Sequence, residues 1–272
     1  MIRKMLIVSS VWLLLTGCMS EQSSKLESKL ESKPVTLTKK AEPSEEFIST
    51  SIKLVGIGDS LTKGVGDESN QGGYVGMVRE KLEQQENIKV VAVDNYGVRG
   101  YKTSNLQKKL NEEEVIASIK DADIILMTIG GNDIMSVVRS NILSLDFEPF
   151  RKEQKNYENR LRDILTTVRE HNSSAHIVFV GLYNPFKYML PKLTEIDMII
   201  NEWNLATQQM IKQDEKAVYV SVDQLFSTES DERLLYKDEF HPNESGYSLI
   251  ADKVYDALKK NEIYSDSTGR NE

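Results

Sequence analysis

A serine, a histidine and a carboxylate, carried by segments far apart in the chain, are the residues with the chemistry to cleave an acyl bond. The choice of histidine is narrow, because only His171, His176 and His241 exist. His241 lies in Asp238-Glu239-Phe240-His241-Pro242-Asn243, with a carboxylate three residues before the imidazole. A carboxylate that accepts from one ring nitrogen fixes the tautomer and leaves the other nitrogen free to take a hydroxyl proton. His171 ends a charged amphipathic stretch and His176 opens an apolar run, so both are read as structural or solvated. The candidate hydroxyl is Ser60, in Gly58-Asp59-Ser60-Leu61-Thr62 directly after an apolar run. A serine at a tight strand-to-helix turn projects beside a helix N-terminus, which favours developing negative charge. Serine is also a common helix cap, so this segment gains meaning only from its company.

Two further segments supply that company. Asn95-Tyr96-Gly97-Val98-Arg99-Gly100-Tyr101 follows the second apolar run, and its glycines let a backbone approach a ligand with no side chain between. Gly130-Gly131-Asn132-Asp133 follows the third run and adds a side-chain amide donor. Taken singly, the first reads equally as a turn and the second as a helix cap. Jointly, they stand in the order and at the strand ends that one acyl-transfer site requires, since ligands of open parallel sheets meet the loops at the carboxyl ends of strands.

The elements that must position these residues are legible as alternating apolar runs and amphipathic stretches, the pattern of βα units around a mostly parallel sheet. Strands are expected over Ile52 to Ile57, Val90 to Val93, Ile124 to Thr128, Ile177 to Gly181 and Val218 to Val222. Tyr157, Leu161, Ile164, Leu165 and Val168 recur at helical spacing, as do Tyr247, Ile250, Ala251, Val254 and Leu258. A first connecting helix is expected from Tyr74 to about Gln85, with Val75, Val78 and Leu82 turned inward. Residues 51–260 thus form one α/β domain, and 261–272 a polar tail.

These blocks together resemble the SGNH (GDSL) serine hydrolase superfamily, whose four blocks are matched by Ser60, Gly100, Asn132 and His241, with Asp238 completing the Asp-x-x-His motif. The finer pattern of Gly72-Gly73-Tyr74, Asn184-Pro185-Phe186 and His241-Pro242-Asn243 is similar to the YpmR-like bacterial lipoprotein branch. The family's Asn-x-x-x-x-Gly spacing selects Gly100, leaving Gly97 to shape the turn. The Gly-x-Ser-x-Gly elbow of α/β hydrolases is absent around Ser60.

The resemblance implies a three-layer α/β sandwich, flavodoxin-like, with a five-stranded mostly parallel sheet flanked by helices. It implies hydrolysis of a carboxylic ester through an acyl-enzyme, in lipase, esterase or lysophospholipase manner. Ser60 is then the nucleophile, His241 its base and Asp238 the partner of the base. The Ser60 and Gly100 N–H groups and the Asn132 side chain form the oxyanion hole, and no cofactor or metal is called for. Two connections could line an acyl pocket or simply face the core: Ile134, Met135, Val137, Val138, Ile142 and Leu143 in the first, and Phe186, Tyr188, Met189 and Leu190 in the second. The same machinery would suit an O-acetyl esterase of cell-wall or surface carbohydrate, and a non-catalytic binding lipoprotein is the reading from another class.

The lone cysteine, Cys18, excludes an intramolecular disulfide and a Cys-rich metal site. Before it stand Arg3, Lys4 and an apolar run from Met5 to Leu15, too short for an ordinary membrane span and typical of a signal peptide. Leu15-Thr16-Gly17-Cys18 resembles a bacterial lipobox, so residues 1–17 are expected to be removed and Cys18 to be lipidated, anchoring the protein at the extracytoplasmic face of a bacterial membrane. An ordinary secretory signal or an uncleaved anchor, with Cys18 a bystander, is the competing reading. Residues 18–50 are polar and repeat Ser-Lys-Leu-Glu, at 24–27 and 28–31; they cannot bury enough apolar area to offset their ordering entropy and read as a tether of about 30 Å. Loss of the leader removes two cations and moves the formal charge from -8 to -10. Without a basic face, nucleic acid is excluded as a partner, leaving an ester substrate and, through the anchor, the membrane.

Overall fold

The computed structural model describes residues 50–141, 146–187, 194–227 and 234–263. Cys18, the leader and the tether up to residue 49 lie outside them, as do Ile142, Leu143, Tyr188, Met189, Leu190 and the last nine residues of the tail.

The apolar runs form β1 (Thr50–Gly58), β2 (Ile88–Gly97), β3 (Ile124–Thr128), β4 (His176–Val180) and β5 (Ala217–Val220). Every neighbouring pair is parallel, in the order β2-β1-β3-β4-β5. Strand β2 is much longer than its apolar run because it is an edge strand. Its pairing with β1 continues through Asp94, Asn95 and Tyr96 to Gly97, where one side of the ladder tolerates polar residues.

The connections are α1 (Ser60–Lys63), α2 (Gly73–Glu83), α3 (Thr103–Lys109), α4 (Glu113–Asp121), α5 (Gly131–Ser140), α6 (Phe147–His171), α7 (Thr194–Ile211) and α8 (Glu244–Lys260). Successive strand residues point to opposite faces of the sheet, and both faces are covered. Val55, Ile57, Ile125, Met127, Ile177 and Phe179 pack on one side with residues of α3 to α7. Leu54, Leu126, Val178 and Val180 pack on the other with Tyr74, Val78 and Leu82 of α2 and with Tyr247, Ile250 and Val254 of α8. Burial on both faces is why these strands read as continuous apolar runs rather than alternating ones.

The strand order places the site. The chain leaves β1 for β2 on one side and then returns to β3 on the other, so the loops after β1 and β3 diverge and open a crevice at the carboxyl edge of the sheet.

Candidate active site

Ser60 opens α1 at the end of β1 and is 3% exposed. The turn that presents it depends on Gly58: its φ is +142°, and a Cβ there would stand 2.0 Å from the Thr128 carbonyl oxygen. Asp59 caps α1, accepting from the Leu61 N–H at 3.0 Å. The same oxygen accepts from the Thr128 hydroxyl at 2.7 Å. The Thr128 oxygen in turn accepts from the Thr62 N–H at 3.1 Å and lies 2.7 Å from the Thr62 hydroxyl. Thus β3 is tied to the nucleophile turn by a closed polar network inside the core. Burial pushes the Asp59 carboxyl up to about 7, against the opposing pull of the Thr128 and Leu61 hydrogen bonds.

His241 reaches Ser60 from the loop before α8. Its Nε2 lies 2.9 Å from Ser60 Oγ, and its Nδ1 lies 2.6 Å from Asp238 Oδ2. The other Asp238 oxygen accepts from the backbone N–H of His241 at 3.0 Å and of Phe240 at 3.1 Å. Burial is the largest single influence on Asp238 and acts upward, but these hydrogen bonds and the imidazole together hold its carboxyl below the ordinary range. An ionised Asp238 accepts from Nδ1–H, so Nε2 is left to accept from the serine hydroxyl.

The loop is pinned on several sides. Tyr236 N–H donates to the His241 carbonyl at 2.7 Å, Asn243 N–H to the Leu234 carbonyl at 2.9 Å, and the Tyr183 hydroxyl to the Phe240 carbonyl at 2.6 Å. Asn243 then caps α8 by accepting from the Gly246 N–H. Tyr183, invisible as a site residue in the sequence, follows β4 by three positions and so belongs to the same carboxyl edge.

The two donor segments stand beside Ser60. Gly97 ends β2, and a Cβ on it would lie 2.3 Å from the Lys63 nitrogen, so it serves close packing against α1. Gly100 is at φ +84° with open space where a Cβ would be, and it lines the chamber containing Ser60 and His241. Neither the Ser60 nor the Gly100 N–H meets a backbone acceptor among the described residues. Asn132, in the first turn of α5, donates from Nδ2 to the Tyr101 carbonyl at 2.9 Å, which links the two segments; the second Nδ2 hydrogen remains for a ligand.

A second link lies behind them. Asp133, fully buried, accepts from the Thr103 N–H at 3.0 Å, from the Thr103 hydroxyl at 2.6 Å and from Arg160 Nη2 at 3.0 Å. Arg160 Nε also donates to the Thr103 hydroxyl oxygen at 2.6 Å. Helix α6 therefore clamps Thr103, shortly after Gly100, and Asp133, directly after Asn132. No sequence signal pointed to this cluster. His171 and His176 end α6 and begin β4, as expected, and have no part in the site.

Two spaces meet at Ser60. The inner cavity, of about 60 Å³, is lined mainly by apolar groups such as Leu61, Ile134, Val138, Leu182, Phe186 and Ile200. Met135 also lines it, whereas Val137 faces the core. The outer chamber is more open and polar, and it shares Ser60, Asn132, Met135, Phe186 and Phe240 with the inner one. Among the described residues, no group of three His, Cys, Asp or Glu side chains is arranged to hold a metal ion.

Comparison with known proteins agrees with this architecture. The family model for GDSL-like lipase/acylhydrolases matches residues 57–249. The chain is 40% identical over 255 residues to the YpmR protein of Bacillus subtilis (strain 168), covering 93% of this chain and 95% of that one. It is 28% identical over 209 residues to the spore germination lipase LipC of Bacillus licheniformis, covering 75% and 94% respectively. Among solved structures, the lipase Lip_vut3 from a goat rumen metagenome superposes with a TM-score of 0.68 at 25% identity, covering 76% of this chain and 97% of that one.

Proposed function

Since the chain belongs to the GDSL-like lipase/acylhydrolase family, we propose that it hydrolyses carboxylic esters by a Ser60-His241-Asp238 triad through an acyl-enzyme. The observation that carries this reading is the relay of 2.9 Å from Ser60 Oγ to His241 Nε2 and 2.6 Å from Nδ1 to Asp238. His241 takes the Ser60 proton as Oγ attacks the ester carbonyl, and Asp238 stabilises the imidazolium without accepting its proton. The oxyanion is met by the N–H groups of Ser60 and Gly100 and by the Asn132 amide, donors already oriented before charge develops. His241 then protonates the departing alcohol and next activates the water that releases the acid.

The apolar lining of the inner cavity favours an acyl chain of short to medium length, in esterase or lysophospholipase manner, over a bare acetyl group on carbohydrate. Lipidation of Cys18, on the strength of its lipobox, would hold this chemistry at the extracytoplasmic face of the membrane. The test is active-site labelling with a fluorophosphonate beside a panel of p-nitrophenyl esters. Wild type is expected to label at Ser60 and to turn over the esters, and Ser60→Ala to do neither. Equal labelling of Ser60→Ala would overturn the assignment.

A further inference from the structure

We infer that the outer chamber is a subsite for a phosphate-bearing leaving group, with Arg99 and Arg139 as its anion ligands and Lys102 beside them. The inference rests on the ester hydrolase reading and specifies the alcohol half of the substrate.

The first observation is the charge of the lining. Arg99, Lys102 and Arg139 all line this chamber, against two acids, Asp238 and Glu239. The Asp238 carboxylate is occupied by His241, so Glu239 alone opposes three cations, although the chain as a whole carries a formal charge of -8.

The second observation is what these arginines do not touch. Arg79, Arg151, Arg160, Arg162 and Arg169 each hold a side-chain partner. Arg99 and Arg139, both exposed residues at the chamber that contains Ser60, have neither an ion pair nor a side-chain hydrogen bond among the described residues. A guanidinium presents a planar fork of donors that matches phosphate oxygens two at a time. Two unengaged forks around one polar space form a receptor for an anion.

The third observation is the direction imposed on the substrate. Ser60 and Asn132 line both spaces, so an ester carbonyl held between them has one substituent on each side. The apolar cavity takes the acyl chain, and the alcohol must emerge into the cationic chamber. An acylated glycerol phosphate meets both demands, whereas a neutral acylglycerol leaves the cations without a partner.

The experiment compares hexanoylglycerol with hexanoylglycerol phosphate, two soluble monomeric esters that differ only in the phosphate. For wild type, kcat/KM is expected to be at least about tenfold higher for the phosphate ester, the scale of one charge-assisted hydrogen bond, and the gap should shrink with added salt. In Arg99→Gln/Arg139→Gln the ratio of the two is expected to fall to about one, and Arg99→Lys/Arg139→Lys should restore part of it by retaining charge. Equal rates in wild type, or an unchanged ratio in the double glutamine variant, would overturn the subsite while leaving the hydrolase reading intact. Turnover of neither ester, together with no fluorophosphonate labelling of Ser60, would overturn both.

Discussion

Replacing Asp59 by asparagine should make the folded protein less sensitive to rising pH. The carboxyl is buried beside Ser60 at 4% exposure, and burial raises it from 3.8 to about 7. Below about pH 4 the acid is protonated in both folded and unfolded chains, and folding bears no penalty. Between that point and about pH 7 the unfolded chain releases the proton while the folded one keeps it, so stability falls as pH rises; above it the loss levels off. The rise from 3.8 to about 7 corresponds to about 4 kcal/mol over the whole window, of which some 2 to 3 kcal/mol falls between about pH 5 and pH 8. Asparagine keeps an oxygen to accept from Leu61 N–H and the Thr128 hydroxyl, the two bonds that Asp59 makes, and it cannot ionise. Urea unfolding of wild type and Asp59→Asn at those two pH values isolates this group, because every other titration is common to both proteins. The variant should gain about 2 to 3 kcal/mol relative to wild type on going from the lower to the higher pH. Parallel stability profiles for the two proteins would refute the reasoning.

Two other substitutions address the site and the anchor. Asn132→Ala is expected to lower kcat about 100- to 1000-fold with little change in KM, the signature of a donor that acts on the transition state; steady-state kinetics on a p-nitrophenyl ester would show it, and a raised KM with intact kcat would assign Asn132 to substrate binding instead. Cys18→Ala should abolish incorporation of radiolabelled palmitate into the protein in a bacterial host and leave residues 1–17 attached, read by autoradiography and intact mass, and unchanged incorporation would make Cys18 a bystander.

The sheet was legible because its central strands are buried on both faces and leave uninterrupted apolar runs, as in Ile124 to Thr128. Helices α2, α6 and α8 announced themselves by long periodic stripes, such as Tyr157, Leu161, Ile164 and Val168. Helix α3 buries only Thr103 and Leu106, too little for a stripe. Helix α5 begins in a glycine-rich turn that reads as a loop. Helix α7 follows a segment whose apolar residues masked its start. Within the candidate site, Ser60, Gly100 and Asn132 were legible from motifs after apolar runs, and Asp238 and His241 from a motif just before the last helix. Their supports were not: Thr103, Asp133 and Arg160 are joined across separations of 27 to 57 positions, and no periodicity records a bond of that kind.

That division has a chemical side, visible in two aspartates whose surroundings push them in opposite directions. Asp238 is held below the ordinary carboxylate range by two backbone N–H groups and the imidazole, so it is charged when His241 takes up a proton. Asp59 is raised by burial and retains its proton through much of the range in which Asp238 has lost its own. Environments that separate two acids in this manner assign them different tasks. In the proposed mechanism, a negative charge next to Ser60 would oppose an oxyanion forming at the same turn, whereas one behind His241 would stabilise the imidazolium that accompanies it. Ser60 is thus braced by a network whose carboxyl titrates near neutrality, and His241 by a carboxylate held below the ordinary range. Sequence spacing exposes Asp238 because it must lie close to its histidine, but whether Asp59 is charged depends on Thr128 and on the depth of the sheet edge, which only the assembled fold supplies.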